Sequence, residues 1–137
     1  LQGRPRNQVW TTMMINPIEP DQLGRLLDAY PRGWFIHYWE EVCLELRDRS
    51  YPDKVEAFFY LVERLLKEGK AKFADPNGDG STLWDATPAL VVEHLRNGWP
   101  KEADTEGSPL IVSYFYDDWN RCPPIFWLGP DGQWHGS

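Results

Sequence analysis

Residues 56–74 read EAFFYLVERLLKEGKAKFA. Phe58, Phe59, Val62, Leu65 and Leu66 recur at helical spacing, with Val55 one turn earlier, and make a wide apolar face. Ser50-Tyr-Pro-Asp supplies a helix start, and Gly69 stands where a helix reaching about Glu68 needs its C-terminal cap. Beyond the glycine, Lys70–Ala74 (KAKFA) alternates and predicts a short strand. A long, broadly apolar helix that hands the chain to a strand predicts a core built around that helix.

Outward from this block, two helices precede it. Asn16–Tyr30 follows a Pro17/Pro20 start, places Leu23, Leu26 and Leu27 on one face, and stops at Pro31–Gly33. Trp34–Arg47 carries a stripe of Phe35, Trp39, Val42 and Leu46, with Glu40, Glu41 and Glu45 off it. Downstream, Thr87-Pro88 opens a helix that runs through Leu95 to about Asn97-Gly98. Residues 101–109 (KEADTEGSP) are a polar loop. Leu110–Tyr116 (LIVSYFY) is β-branched and aromatic and predicts a strand. Ile125–Leu128 and Gln133–His135 flank Gly129-Pro-Asp-Gly132, which predicts a hairpin with Gly132 at positive φ and Trp127 near Trp134. Helices first and strands last point to an α+β fold, with N-terminal helices packed on a small C-terminal antiparallel sheet that ends in a hairpin. There is no internal repeat.

The chain has 137 residues, 42% of them hydrophobic, enough for one domain with a real core. Leu1–Thr12 is unlike the rest. Residues 1–13 are set apart as a flexible leader or an added remnant, leaving 14–137 as a single α+β domain. Arg4 and Arg6 are the leader's charges, so the remainder carries a formal −9 against −7 for the whole chain. That balance opposes nonspecific attraction to nucleic acid or to an anionic membrane and suits a basic partner. No apolar run approaches membrane-spanning length, and the leader is too polar for a signal peptide; the expected compartment is the cytoplasm. Cys43 and Cys122 are too few for a disulfide scaffold and read as buried thiols.

Residues 75–85, DPNGDGSTLWD, begin like a calcium-binding loop, with Asp75, Asn77 and Asp79 alternating before Gly80. Loop position 12, which should be a bidentate Glu, is Ala86, and Asp85 falls one residue early. The stretch therefore reads as an Asx-rich turn between the KAKFA strand and the helix at Thr87. His37 and Glu41 lie one helical turn apart, but HYWEE lacks the second His of a zinc motif. No phosphate-binding, dinucleotide-binding or nucleophile-elbow motif is present. These readings predict no enzyme, no metal and no cofactor. A winged-helix domain that binds nucleic acid is the alternative: Arg64, Lys67, Lys70 and Lys72 are clustered, although Glu63 and Glu68 interrupt them. Eight Trp and six Tyr exceed what a small core needs and suggest surface rings used in binding. The acidic loop residues Asp104 and Glu106, and Asp117 and Asp118 beside Trp119, suit a basic protein partner; the same loops also read as ordinary solubilising segments.

Two segments carry a family resemblance: residues 56–74 and the run DDWNRCPPIFWLGPDGQW (117–134). Together with Trp99-Pro100 at the end of a helix, they resemble a bacterial family catalogued as domain of unknown function 596. The ending supplies Cys122-Pro123, Trp127, Pro130-Asp131-Gly132 and Trp134, and the resemblance is most specific at these two blocks. The resemblance spans about Met14 to His135; the 75–86 loop departs from it by being richer in Asp and Gly. It implies no catalytic residue. It does imply a gene neighbour, since similar proteins look like the immunity partners of toxins of contact-dependent growth inhibition. On that resemblance the chain is expected to bind a cognate toxin C-terminal domain, a basic nuclease, with no nucleic-acid or membrane partner. Asp104, Glu106, Asp117, Asp118 and Trp119 are its candidate toxin-binding residues.

Overall fold

The structure, a computed structural model, describes residues 18–28 and 33–136. The leader, residues 1–13, and the outer ends of the first predicted helix lie outside the described residues. Among them the elements run α1 (Pro20–Asp28), α2 (Phe35–Glu45), α3 (Tyr51–Lys67), β1 (Ala71–Phe73), α4 (Pro88–Gly98), α5 (Pro109–Tyr116), β2 (Ile125–Leu128) and β3 (Trp134–Gly136). The fold is α+β, with a three-stranded antiparallel sheet in the order β1-β2-β3.

α3 is the spine. The Ser50 hydroxyl accepts a hydrogen bond from the Asp53 backbone N–H (3.2 Å), so an otherwise orphaned donor of the first turn is satisfied. The helix ends when Gly69, at φ +73°, reverses the chain. The Gly69 N–H then bonds Leu66 O and the Lys70 N–H bonds Leu65 O, the paired closure of a Schellman turn. Ala57, Phe58, Phe59, Leu61, Val62 and Leu65 are all buried, while Leu66 is only partly so. The buried arc is wider than one stripe because α1, α2 and α4 all pack against this helix.

Phe58 sits at the centre of that arc. Its ring lies 5.3–6.2 Å from those of Phe35, Tyr38, Trp39, Phe59, Trp99 and Phe115. These are mostly edge-to-face or tilted pairs, each worth something beyond the area it buries. The two buried tyrosine hydroxyls are satisfied: Tyr38 Oη donates to Leu26 O (2.9 Å) and Tyr114 Oη to Leu95 O (2.8 Å). Trp99 Nε1 donates to Tyr51 Oη (3.0 Å).

One expectation is overturned. Residues 110–116 form a helix, not a strand. Ser108 caps it by accepting from the Leu110 N–H (3.2 Å), and Pro109 occupies the first turn, where a missing N–H costs nothing. Ile111, Tyr114 and Phe115 face the core at i, i+3 and i+4. In this short apolar segment the start signal and the packing of those three side chains outweigh β-propensity. The change leaves the α+β class and the C-terminal hairpin intact. β1 comes from the middle, and α4 and α5 intervene before β2.

The hairpin is as expected. The Gly132 N–H bonds Gly129 O (3.0 Å) and Gly132 has φ +79°. The two tryptophans do not meet across it: Trp127 pairs with His135, and Trp134 with Leu128. Trp127 and Trp134 therefore occupy opposite faces of the sheet. Trp127 is fully buried and donates from Nε1 to Gly33 O (2.9 Å), whereas Trp134 lies beneath the Lys72 ammonium on the outer face.

Two substitutions test this architecture by equilibrium urea unfolding. Phe58→Ala should lose ~3–5 kcal/mol, as expected for emptying a core aromatic site. Val112→Ala, on the exposed face of α5, should be neutral or stabilise by a few tenths of a kcal/mol, because alanine favours a helix. A clear loss at Val112 would instead mark residues 110–116 as a strand.

Candidate protein-binding grooves

The packing of α2 against α5 leaves a seam, and two grooves open along it. The first, about 430 Å3, lies where the N-terminus of α2, the C-terminus of α5, the segment after α5 and strands β2 and β3 converge. Its walls include Trp34, Tyr116, Trp119 and Phe126, with Gly80 and Gly136. Trp34, Tyr116 and Trp119 are 51%, 42% and 57% exposed, unusual for large rings in a chain with room inside for aromatics. The Trp34 and Tyr116 rings meet edge to face at 5.5 Å.

Local structure holds Trp119 in place. Asp118 closes the turn after α5: its Oδ1 accepts from the Asn120 N–H (2.9 Å), and its carbonyl from the Arg121 and Cys122 N–H groups (3.1 and 3.0 Å). Asn120 ties this turn to the acidic loop, donating from Nδ2 to Pro76 O (3.2 Å) and Asn77 Oδ1 (3.1 Å). The Trp119 ring then rests on Gly80. A Cβ at that position would lie 2.5 Å from Trp119 Cζ3, and φ is +91°, so both the space and the backbone conformation call for glycine.

The loop that begins like a calcium site has a different construction. Asp75 Oδ1 accepts from the Asn77 N–H, and Asp79 Oδ1 from the Ser81 N–H and hydroxyl. The Ser81 bonds, the backbone one foremost, hold the Asp79 carboxyl below its ordinary pKa. The chain then returns beside β1 through Asp75 N–H to Thr82 O and Trp84 N–H to Phe73 O, both 2.8 Å. These Asx turns shape the loop into the seat of Trp119. Among the described residues no group of three or more His, Cys, Asp or Glu is arranged to hold a metal.

The second groove, about 330 Å3, continues along the seam and shares Ile36 with the first. Leu44 and Val112 form exposed apolar walls, and Glu40 and Glu106 are its charged members. Neither groove has a lysine or arginine in its lining.

The five sequence-predicted residues divide between the ends of α5. Asp117, Asp118 and Trp119 sit together at its C-terminus beside the first groove. Asp117 Oδ2 accepts from Ser113 Oγ (2.6 Å). Asp104 and Glu106 lie in the loop before α5, Asp104 exposed and Glu106 at the second groove. Glu106 also has a structural task. It pairs with the ammonium of Lys54, whose side chain is only 7% exposed. Sequence reasoning missed Trp34, Tyr116 and Phe126. Reading 110–116 as a strand hid Tyr116, since alternation would set it on the same face as Tyr114, whereas the helix buries Tyr114 and turns Tyr116 outward.

Both cysteines are buried and free. Burial pushes the Cys43 thiol up to about 12, with the Glu106 charge adding to it, and burial likewise raises Cys122 to about 12. Neither has nucleophilic character at neutral pH. Three of the four clustered cations of the winged-helix reading pair with carboxylates, Arg64 with Glu68 (2.8 Å), Lys67 with Glu63 (3.2 Å) and Lys70 with Glu68 (3.2 Å), while Lys72 lies over the Trp134 ring. No helix among the described residues is long and apolar enough to cross a membrane.

No protein-family model matches the chain, and no curated sequence is similar to it. Among solved structures it is similar to an uncharacterized protein conserved in bacteria, from Neisseria meningitidis, at 19% identity and a TM-score of 0.60. The likeness covers 84% of this chain and 86% of that one, and it concerns the fold.

Gly80→Ala tests the seat of Trp119. It should cost about 1–2 kcal/mol through the positive φ and the close ring, and it should move the Trp119 indole N–H resonance. Gly107→Ala, whose Cβ would meet open space, is the control and should do neither. An unmoved Trp119 resonance in Gly80→Ala would mean that the ring does not rest there.

Proposed function

We propose that this protein is a non-enzymatic immunity protein that binds and neutralises one cognate toxin domain, a basic nuclease, in the cytoplasm. The observation that carries the reading is the cation-free seam between α2 and α5, with its half-exposed Trp34, Tyr116 and Trp119, in a chain of net charge −7. Exposed rings supply the buried area of an interface, and carboxylates such as Asp117 and Asp118 speed encounter with a basic surface. The likeness of residues 56–74 and 117–134 to domain of unknown function 596 supports the same role. A nucleic-acid role is less well supported, because Arg64, Lys67 and Lys70 already pair with carboxylates.

The test looks beside this gene for a large exported protein with a variable C-terminal domain, and uses that domain. The chain should bind it tightly and protect cells that produce it. Asp117→Lys with Asp118→Lys should slow association and flatten its salt dependence, because exposed charges act mainly on encounter. Trp119→Ala should speed dissociation by about 30-fold, the effect of losing a ~2 kcal/mol hot spot. Glu106 is a poor probe, since its loss also strands the buried Lys54 ammonium. If no neighbouring toxin is neutralised, the role is wrong; if all three substitutions leave binding unchanged, the surface is.

A further inference from the structure

We infer that the first groove is an arginine-reading site, which receives a guanidinium from a loop of the protein partner between the rings of Trp34, Tyr116 and Trp119. The inference rests on the proposal that this face binds a protein and specifies what it recognises there.

The argument begins with what the groove is made of. Its walls are aromatic rings, prolines, glycines, aliphatic groups and Cys122, and no lining residue is an acidic or basic one. The carboxylates are chain neighbours of the lining residues: Asp117 and Asp118 join Tyr116 to Trp119, and Asp79 precedes Gly80. An apolar, ring-walled slot with negative charge beside it favours a group that is flat, cationic and weakly hydrated. Guanidinium has all three properties, since it stacks on aromatic faces and its donors reach carboxylates in pairs. An ammonium is a compact, strongly hydrated charge and uses the rings less well.

The molecule already uses this contact elsewhere. Arg96 lies 4.9 Å from the Phe59 ring centroid, Arg121 5.6 Å from that of Tyr114 and Arg64 6.0 Å from that of Tyr60. Lys72 covers Trp134 at 5.2 Å. Among the described residues no cation lies over Trp34, Tyr116 or Trp119. Among the described residues, Trp34, Tyr116 and Trp119 are the exposed large aromatic rings, and all three line one groove.

The experiment titrates the intact chain with the blocked peptide acetyl-Gly-Arg-Arg-Arg-Gly-amide and follows the indole N–H resonances in 1H–15N spectra. Peptides with lysine or with uncharged citrulline at the three central positions are the comparisons. The arginine peptide should shift Trp34 and Trp119 saturably at millimolar concentration. The lysine peptide should bind about fivefold more weakly, and the citrulline peptide should leave both resonances in place. Trp119→Ala should weaken the arginine peptide by at least about fivefold, and Asp117→Asn with Asp118→Asn should weaken it while leaving the fold intact. Equal shifts with citrulline, or shifts that avoid Trp34 and Trp119, overturn the inference, as does no shift at 10 mM peptide (about 3 kcal/mol of binding or less). If the peptide fails while a toxin is still neutralised through Trp119, only the arginine assignment falls. If the peptide binds as expected and no toxin is neutralised, the immunity role falls and the arginine site stands.

Discussion

The fold depends on one ring. Phe58 is wholly buried on α3, and the rings of Phe35, Tyr38 and Trp39 from α2, Trp99 after α4 and Phe115 from α5 close on it. Close-packed interiors transmit small shifts, and edge-to-face geometry fixes orientation as well as distance. The angle at which α5 crosses α2 is therefore set from the inside. The seam on their outer side follows from it: with Phe35 and Phe115 turned inward against Phe58, Trp34 and Tyr116, their chain neighbours, face out.

The sheet serves the same end. The Schellman turn at Gly69 sends the chain directly into β1, and β1 pairs with β2 from the far end of the chain, Ala71 opposite Trp127 and Phe73 opposite Ile125. This closure brings Pro123, Pro124 and Phe126 to the mouth of the groove and sets the 75–82 loop against the turn after α5. Two loops that are distant in sequence thus share one support, with Asn120 bonded across to Pro76 and Asn77 and Trp119 lying on Gly80. Rings fixed in this way lose little freedom on binding, which is where interface energy is usually forfeited.

Much of this was legible in the sequence, and the parts that were not have identifiable reasons. The α3 face apart from the partly buried Leu66, the Phe35/Trp39/Val42/Leu46 stripe, the Thr87-Pro88 start and the Gly132 turn appear as read, each marked by helical periodicity or by a capping or turn residue. Residues 110–116 show no clear polar face, Ser113 being the one small polar residue among aliphatic and aromatic ones, so composition pointed to a strand; the Ser108-Pro109 start was the signal that identified a helix. Asp117, Asp118 and Trp119 could be picked out as an acidic and aromatic loop. Their association with Trp34 and Gly80 could not, because it comes from tertiary closure between segments 39 to 85 residues apart. The resemblance of Asp75–Gly80 to a calcium loop shows the reverse case. A local pattern suggested a ligand, while the side chains are spent on turns that seat a tryptophan.

The central claim is that the α2–α5 seam is the face on which a partner docks. Hydrogen–deuterium exchange of the whole chain, alone and saturated with the proposed cognate toxin domain, tests that claim most directly. The account predicts slowed exchange on binding in residues 79–81 and 116–121 and at the start of α2, with α4 unchanged. Protection confined to α4 or to the outer face of the β1–β2–β3 sheet, with the seam unaffected, would contradict it.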